Sequence, residues 1–331
     1  MKSSPTNALQ VEAGDPPLSI RRTYLSDRFF SKIVQYNKHP LLSKLKSLSC
    51  IIPKNQYWNN KDLPHLIKSF KKFKVLNYKV HQANINPLFS TPFEALLFKP
   101  NILKSFGILK DSPGANALFN DKINSDWNDW LHLYTDASKA EDGRIGAAVW
   151  MPKYSTLLSF KCPPVCTVFT GEAIALLEAV KFIRVHKFNK SIIFSDSLSC
   201  LYAIDSNLFI SSSIHPLIFQ IKEMLYECYI NNTEVVIAWI PSHTGIRGNE
   251  VVDSFAKDAA TSGSSDHFQF YALDLKCAAK PDLNKSWQKN WDRSRQLKGN
   301  SDTFGRTFMD ILYGQMWFLY LTLAVMVVST L

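Results

Sequence analysis

The sequence predicts an α/β fold with a five-stranded mixed sheet in the order βββαβααβα and helices on both faces. Three observations carry that prediction. From residue 131 onward, short apolar runs of strand length alternate with longer stretches of helical periodicity. The first three strand-like runs follow one another across turns, as in an antiparallel meander, whereas the later ones are separated by helices, as in parallel crossovers. The later runs are also almost wholly apolar, the pattern of strands covered on both faces.

The elements follow in order. LHLYTDA (131–137) alternates in polarity and reads as the first strand, with Asp136 at its carboxyl end. Asp142-Gly143 marks a turn, after which RIGAAVW (144–150) and YSTLLSF (154–160) read as two strands joined across Met151-Pro152-Lys153. Thr170 is the expected N-cap of a helix reaching about residue 187, striped by Ala173, Leu176, Leu177, Val180 and Ile183. SIIFSD (191–196) is a buried-type strand that ends in Asp196, and residues 197–206 read as a short helix. Residues 215–230 form a stronger helix with Pro216 near its start, TEVVIAWI (233–240) the last strand, and NEVVDSFAKDAA (249–260) the last helix.

Four acids stand out against this frame: Asp136, Glu172, Asp196 and Asp253. Two end strands and two lie early in helices, so one fold could collect them beyond the carboxyl ends of parallel strands. Converging carboxylates repel and raise each other's pKa unless a cation holds them. Oxygen-only ligation suits Mg²⁺, with Mn²⁺ able to substitute, and paired ions serve in-line displacement at a phosphodiester. Singly, each acid has a duller role as turn former or helix-dipole partner. The loop before Asp253 adds His243 between a strand and Gly245 and Gly248, where a proton-carrying side chain could move.

Apolar residues make up 46% of the 331, enough for a substantial core. Lys and Arg outnumber Asp and Glu 38 to 28, a net charge of +10 that favours polyanionic partners. The six cysteines are scattered, and MKSSPTNALQ has no apolar leader, so free thiols and an intracellular setting, cytoplasm or nucleus, are expected. Cys162 and Cys166 lack a second pair at zinc spacing and read as inert loop residues.

YTDAS, TGEAIAL, FSDS and WIPSHTGIRGNEVVD, in that order and spacing, resemble the four catalytic blocks of type 1 ribonuclease H. Their wording resembles ribonuclease H domains of non-LTR retrotransposon polyproteins of arthropods, over residues 129–262. The resemblance implies a ribonuclease H-like fold in which Asp136, Glu172, Asp196 and Asp253 ligate two Mg²⁺ ions and His243 assists turnover. It places Ser138, Ser197 and Asn249 beside the substrate. The implied reaction is endonucleolytic hydrolysis of the RNA strand of RNA–DNA hybrids, leaving 3′-hydroxyl and 5′-phosphate ends, with no small-molecule cofactor. An inactive hybrid-binding remnant is the alternative, followed by a transposase or integrase of the same fold, against which Glu172 with His243 discriminates. The loop ASKAEDGRIG is shorter than in bacterial enzymes, and no basic protrusion separates the helices at 197–206 and 213–230.

The flanks complete the expected organisation. Residues 1–110 read as a basic helical region, whose residues 6–50 resemble the connection after a reverse transcriptase; residues 111–128 read as a linker. KSFKKFKVLNYKV (68–80) reads first as a solvated amphipathic face and second as a nucleic-acid track. Residues 263–310 form a polar extension, of which 271–297 resemble the segment after such a ribonuclease H, so the chain reads as a retroelement fragment. Residues 311–331 carry no charge and suffice in length to span a bilayer, but read-through past a truncated element is the favoured explanation over a membrane anchor.

Overall fold

The computed structural model describes residues 6–76, 79–83, 91–110, 114–207, 215–265 and 268–298. The uncharged tail at 311–331 lies outside the described residues, and among those described no helix is long and apolar enough to cross a membrane. The chain divides into two compact units, residues 1–77 with 276–331 and residues 78–275.

The smaller unit opens with helices α1 (Thr6–Glu12), α2 (Leu18–Val34), α3 (Pro40–Ile51) and α4 (His65–Leu76). Proline at the start of α3 has no amide to waste there, and the His39 ring accepts from Leu41 N at 3.2 Å. Phe30, Ile33, Leu45, Ile52 and Ile67 form its core, with Phe30 stacked on Phe73 at 5.0 Å. Buried Asp27 is satisfied by Ser69 Oγ at 2.6 Å and Lys72 Nζ at 2.9 Å.

The larger unit contains α5 (Phe93–Leu97), β1 (Asn101–Leu103), α6 (Ala115–Asp126), β2 (Leu131–Lys139), β3 (Ile145–Met151) and β4 (Thr156–Lys161). It continues with α7 (Val168–His186), β5 (Lys190–Ser195), α8 (Leu198–Asp205), α9 (Pro216–Ile230), β6 (Glu234–Trp239) and α10 (Arg247–Ser262). The last helix, α11 (Ala272–Lys298), starts within this unit's sequence and ends within the other's.

The six strands form one mixed sheet in the order β1-β6-β5-β2-β3-β4. β2, β3 and β4 are the expected antiparallel meander, while β5 runs parallel to β2 and β6 parallel to β5. One face carries α7, α8 and α9 over Leu133, Ile193 and Ile237; the other carries α6 and α10 over Phe194, Val236 and Ala148. This is the ribonuclease H-like α/β fold.

Three details correct the sequence reading. The sheet has six strands rather than five, because Asn101–Leu103 adds a parallel strand beside β6, with Ile102 opposite Ile237. Much of the expected linker is helix α6, whose Ala115, Phe119 and Ile123 recur every four residues and are buried, Phe119 lying 5.0 Å from the Phe194 ring. The cap of α7 is Thr167 rather than Thr170: the Thr167 side chain accepts from Thr170 N at 3.3 Å, so the helix starts earlier and Glu172 falls in its second turn.

Beyond α10 the chain returns to the sheet. Lys161 N donates to Ser264 O at 2.8 Å and Ser264 N to Ser159 O at 3.0 Å, a short parallel bridge along the outer side of β4.

Candidate active site

The parallel ladder between β2 and β5 ends where Thr135 stands opposite Ser195. The next residues are Asp136 and Asp196, so register alone sets these two carboxylates side by side. There β2 continues with β3 as its remaining partner and β5 turns into α8, the kind of divergence that opens a crevice at a strand end. Glu172 enters from α7, and a ligand oxygen from each of Asp136, Glu172 and Asp196 lies within 4.8 Å of the others. A cleft of about 550 Å³ opens on them, its lining also including Ser138, Ser197, His243, Asp253 and Lys257.

One backbone amide organises the pair at the centre. Ala137 N donates to Asp136 Oδ1 at 2.8 Å and to Glu172 Oε1 at 3.2 Å. Glu172 Oε2 is buried and has no hydrogen-bond partner. Asp196 is held through its backbone, whose oxygen accepts from Trp239 Nε1 at 3.1 Å, and the Asn249 amide stands close enough to its carboxylate to favour the ionised form. Asn249 is buried and touches the site through Asp196.

Asp253 stands apart from the trio. Its carboxylate accepts from Lys257 Nζ at 2.6 Å, and it groups with His243 and Glu250, one ligand atom of each lying within 4.8 Å of the others. His243 is exposed on the loop before α10 with φ +55, a left-handed conformation uncommon outside glycine. The helix itself is drawn close to the sheet at Gly248, where an added Cβ would strike the Tyr134 ring.

Lys257 escaped the sequence reading, although its position four residues after Asp253 on a helix was the available signal. The shared amide of Ala137 has no sequence signal, because any residue but proline supplies it.

Burial first, and then the neighbouring Asp196 and Asp253 charges, push the Asp136 carboxyl up to about 7. Burial, followed by the charge of Asp136, raises Glu172 well above its ordinary value. Burial raises Asp196 as well, opposed by the Asn249 amide and the His243 charge.

These shifts set a pH dependence. Groups whose folded pKa is raised bind more protons folded than unfolded, so the metal-free fold loses stability as pH climbs from the ordinary carboxylate range through about 7. Calorimetry in a chelator should show Tm falling across that window, and Mg²⁺ added at pH 6 should release protons and reverse the fall. A metal-free Tm that rises from pH 4.5 to 7 would contradict the arrangement.

The donor set suits a hard divalent cation. It consists of carboxylate oxygens with one buried lone oxygen on Glu172, and among the described residues the ion pair at the cleft is Lys257 with Asp253 alone.

Residues 128–261 match the family model described as RNase H. The matched residues contain all eight candidate site residues. Among solved structures, the chain is similar to RNase H1 from the halophilic archaeon Halobacterium salinarum NRC-1, at 17% identity and a TM-score of 0.30, covering 39% of this chain and 96% of that one. No curated protein matches. Within the matched residues the motif order along the chain is also the order in which β2, α7, β5 and α10 deliver their acids to the cleft.

Proposed function

We propose that the matched region hydrolyses the RNA strand of RNA–DNA hybrids endonucleolytically, leaving 3′-hydroxyl and 5′-phosphate ends. The observation that carries this reading is the convergence of Asp136, Glu172 and Asp196 within 4.8 Å in an open cleft inside the matched residues. Asp136, Glu172, Asp196 and Asp253 would hold two Mg²⁺ ions. When bound, those ions supply activation of the attacking water and charge stabilisation for the departing 3′-oxygen.

The protein's own groups do the rest. Ala137 N holds the carboxylates of Asp136 and Glu172, so these acids need little reorganisation during the reaction, and the Asn249 amide favours the ionised form of Asp196. Ser138 and Ser197 flank the acids on the cleft wall, where hydroxyl and backbone groups can read ribose 2′-hydroxyls. His243 lies exposed at the cleft, placed to exchange a proton with the departing product. Lys257 neutralises Asp253 until a stronger cation competes for it. The retroelement setting rests on the resemblance of the motif wording and of the flanks.

The test is a cleavage assay of the full chain on end-labelled RNA–DNA hybrid, duplex RNA and duplex DNA, with Mg²⁺ and with chelator. Mg²⁺-dependent cuts confined to the RNA strand of the hybrid are expected. Binding without cleavage would leave a hybrid-binding remnant instead.

A further inference from the structure

The charge of this chain is segregated. The residues of the smaller unit carry 22 Lys and Arg against 8 Asp and Glu, a net of +14, whereas residues 78–275 carry 16 against 20, a net of −4. The unit with the candidate active site is therefore a poor attractor for a polyanion. The smaller unit has the opposite balance, and it has a cleft of about 740 Å³ lined by α2, α4 and α11.

Not all the cations in that cleft are free. Lys72 is held by Asp27 at 2.9 Å and Asp282 at 2.6 Å, and Lys68 lies 3.7 Å from Asp62. That leaves Arg22, Lys285 and Lys289, all exposed and without an ion-pair partner among the described residues. Lys285 and Lys289 are one turn apart on α11, a like-charged spacing that weakens a helix unless an anion sits between the ammonium groups. Buried Asp27, held by Ser69 and by the more exposed Lys72, lines the same cleft.

We infer that this cleft binds a nucleic-acid sugar–phosphate backbone, with Arg22, Lys285 and Lys289 pairing with its phosphates. The inference deepens the functional reading above, and rests on it in taking the bound polyanion to be the RNA–DNA hybrid. Phosphate pairing of this kind is insensitive to sequence and strongly dependent on salt. It would give the chain the hybrid affinity that the shortened loop after Asp136 and the absence of a basic protrusion withhold from the catalytic region.

The experiment is anisotropy of a labelled hybrid with the full chain in chelator, over a series of NaCl concentrations. The triple variant Arg22→Glu, Lys285→Glu, Lys289→Glu should bind at least about tenfold more weakly, with the salt slope reduced by about 0.9 for each phosphate no longer neutralised. A matched variant with the same charge change elsewhere in the unit, Lys44→Glu, Lys46→Glu, Lys54→Glu, should lose markedly less. The single change Lys285→Ala, which removes one exposed side chain, should lower the slope by about 1 and guards against unfolding of the triple variant. Equal losses in the two triple variants, or parental binding by the cleft variant, would overturn the inference. The two readings fail separately: a chain that cleaves hybrids but binds them unchanged without the cleft cations refutes this one. Cleft-dependent binding with no Mg²⁺-dependent cleavage refutes the other.

Discussion

Asp196→Asn should abolish hybrid cleavage, by at least about 10³-fold, while making the metal-free protein more stable rather than less. The loss follows from position: the Asp196 carboxylate is one of three within 4.8 Å, and an amide keeps its shape but not its charge. The gain in stability follows from the same charge, because Asp196 is the largest neighbouring charge raising the Asp136 carboxyl. Removing it lets Asp136 ionise at a lower pH and lowers the cost of keeping the site folded. A rise of about 2–4 °C in Tm for each kcal/mol gained is expected near pH 7 in chelator, and the stabilisation by Mg²⁺ should shrink. Activity within tenfold of the parent would remove Asp196 from the proposed machinery. A lower metal-free Tm would show that its hydrogen bonds outweigh the repulsion.

Gly146→Val should strongly destabilise the larger unit. A Cβ at this β3 position would lie 2.7 Å from Ala259 C and closer still to Ala256 O and Ala260 N. All three are backbone atoms of α10, so no rotamer change relieves the clash, and the helix itself must move off the sheet. Overpacking of this kind destabilises by about 3 kcal/mol, or roughly 6–12 °C in Tm. Because α10 carries Asn249 and Asp253, cleavage should fall even at temperatures where the variant stays folded. Thermal melting, with cleavage measured below both transitions, checks the two effects. A Tm within about 2 °C of the parent would mean that α10 yields without strain.

The elements that were legible in the sequence are those whose own pattern decides them. β5 and β6 are short apolar runs bounded by polar residues, and α7 carries its apolar stripe from Ala173 to Ile183, about three turns, so each announces itself locally. β1 does not: three residues, Asn-Ile-Leu, become a strand because β6 offers an open ladder beside them. Helix α6 was obscured by its polar composition, since just three positions in twelve meet the core and their partners lie far along the chain. Asp136 and Asp196 were readable as neighbours because each ends a strand, whereas Asp253, which the sequence placed with them, groups with His243 and Glu250. What surrounds them was less so. Asn249 reads as one member of a polar pair, and its place beside Asp196 follows from the packing of α10, which Gly248 lets approach Tyr134.

The return of Ser264 to β4 has a consequence for how the larger unit behaves among copies of itself. An unpaired outer strand is a template on which a neighbouring molecule can add its own, the first step toward sheet-to-sheet association. Here the backbone of Ser159 and Lys161 is already engaged by Ser264, and the opposite margin of the sheet is β1, three residues long. A chain cut at residue 261, where the family match ends, would keep every candidate catalytic group but strip that cover from β4. The tether that looks dispensable for chemistry covers the end of β4 on which a foreign strand would otherwise add.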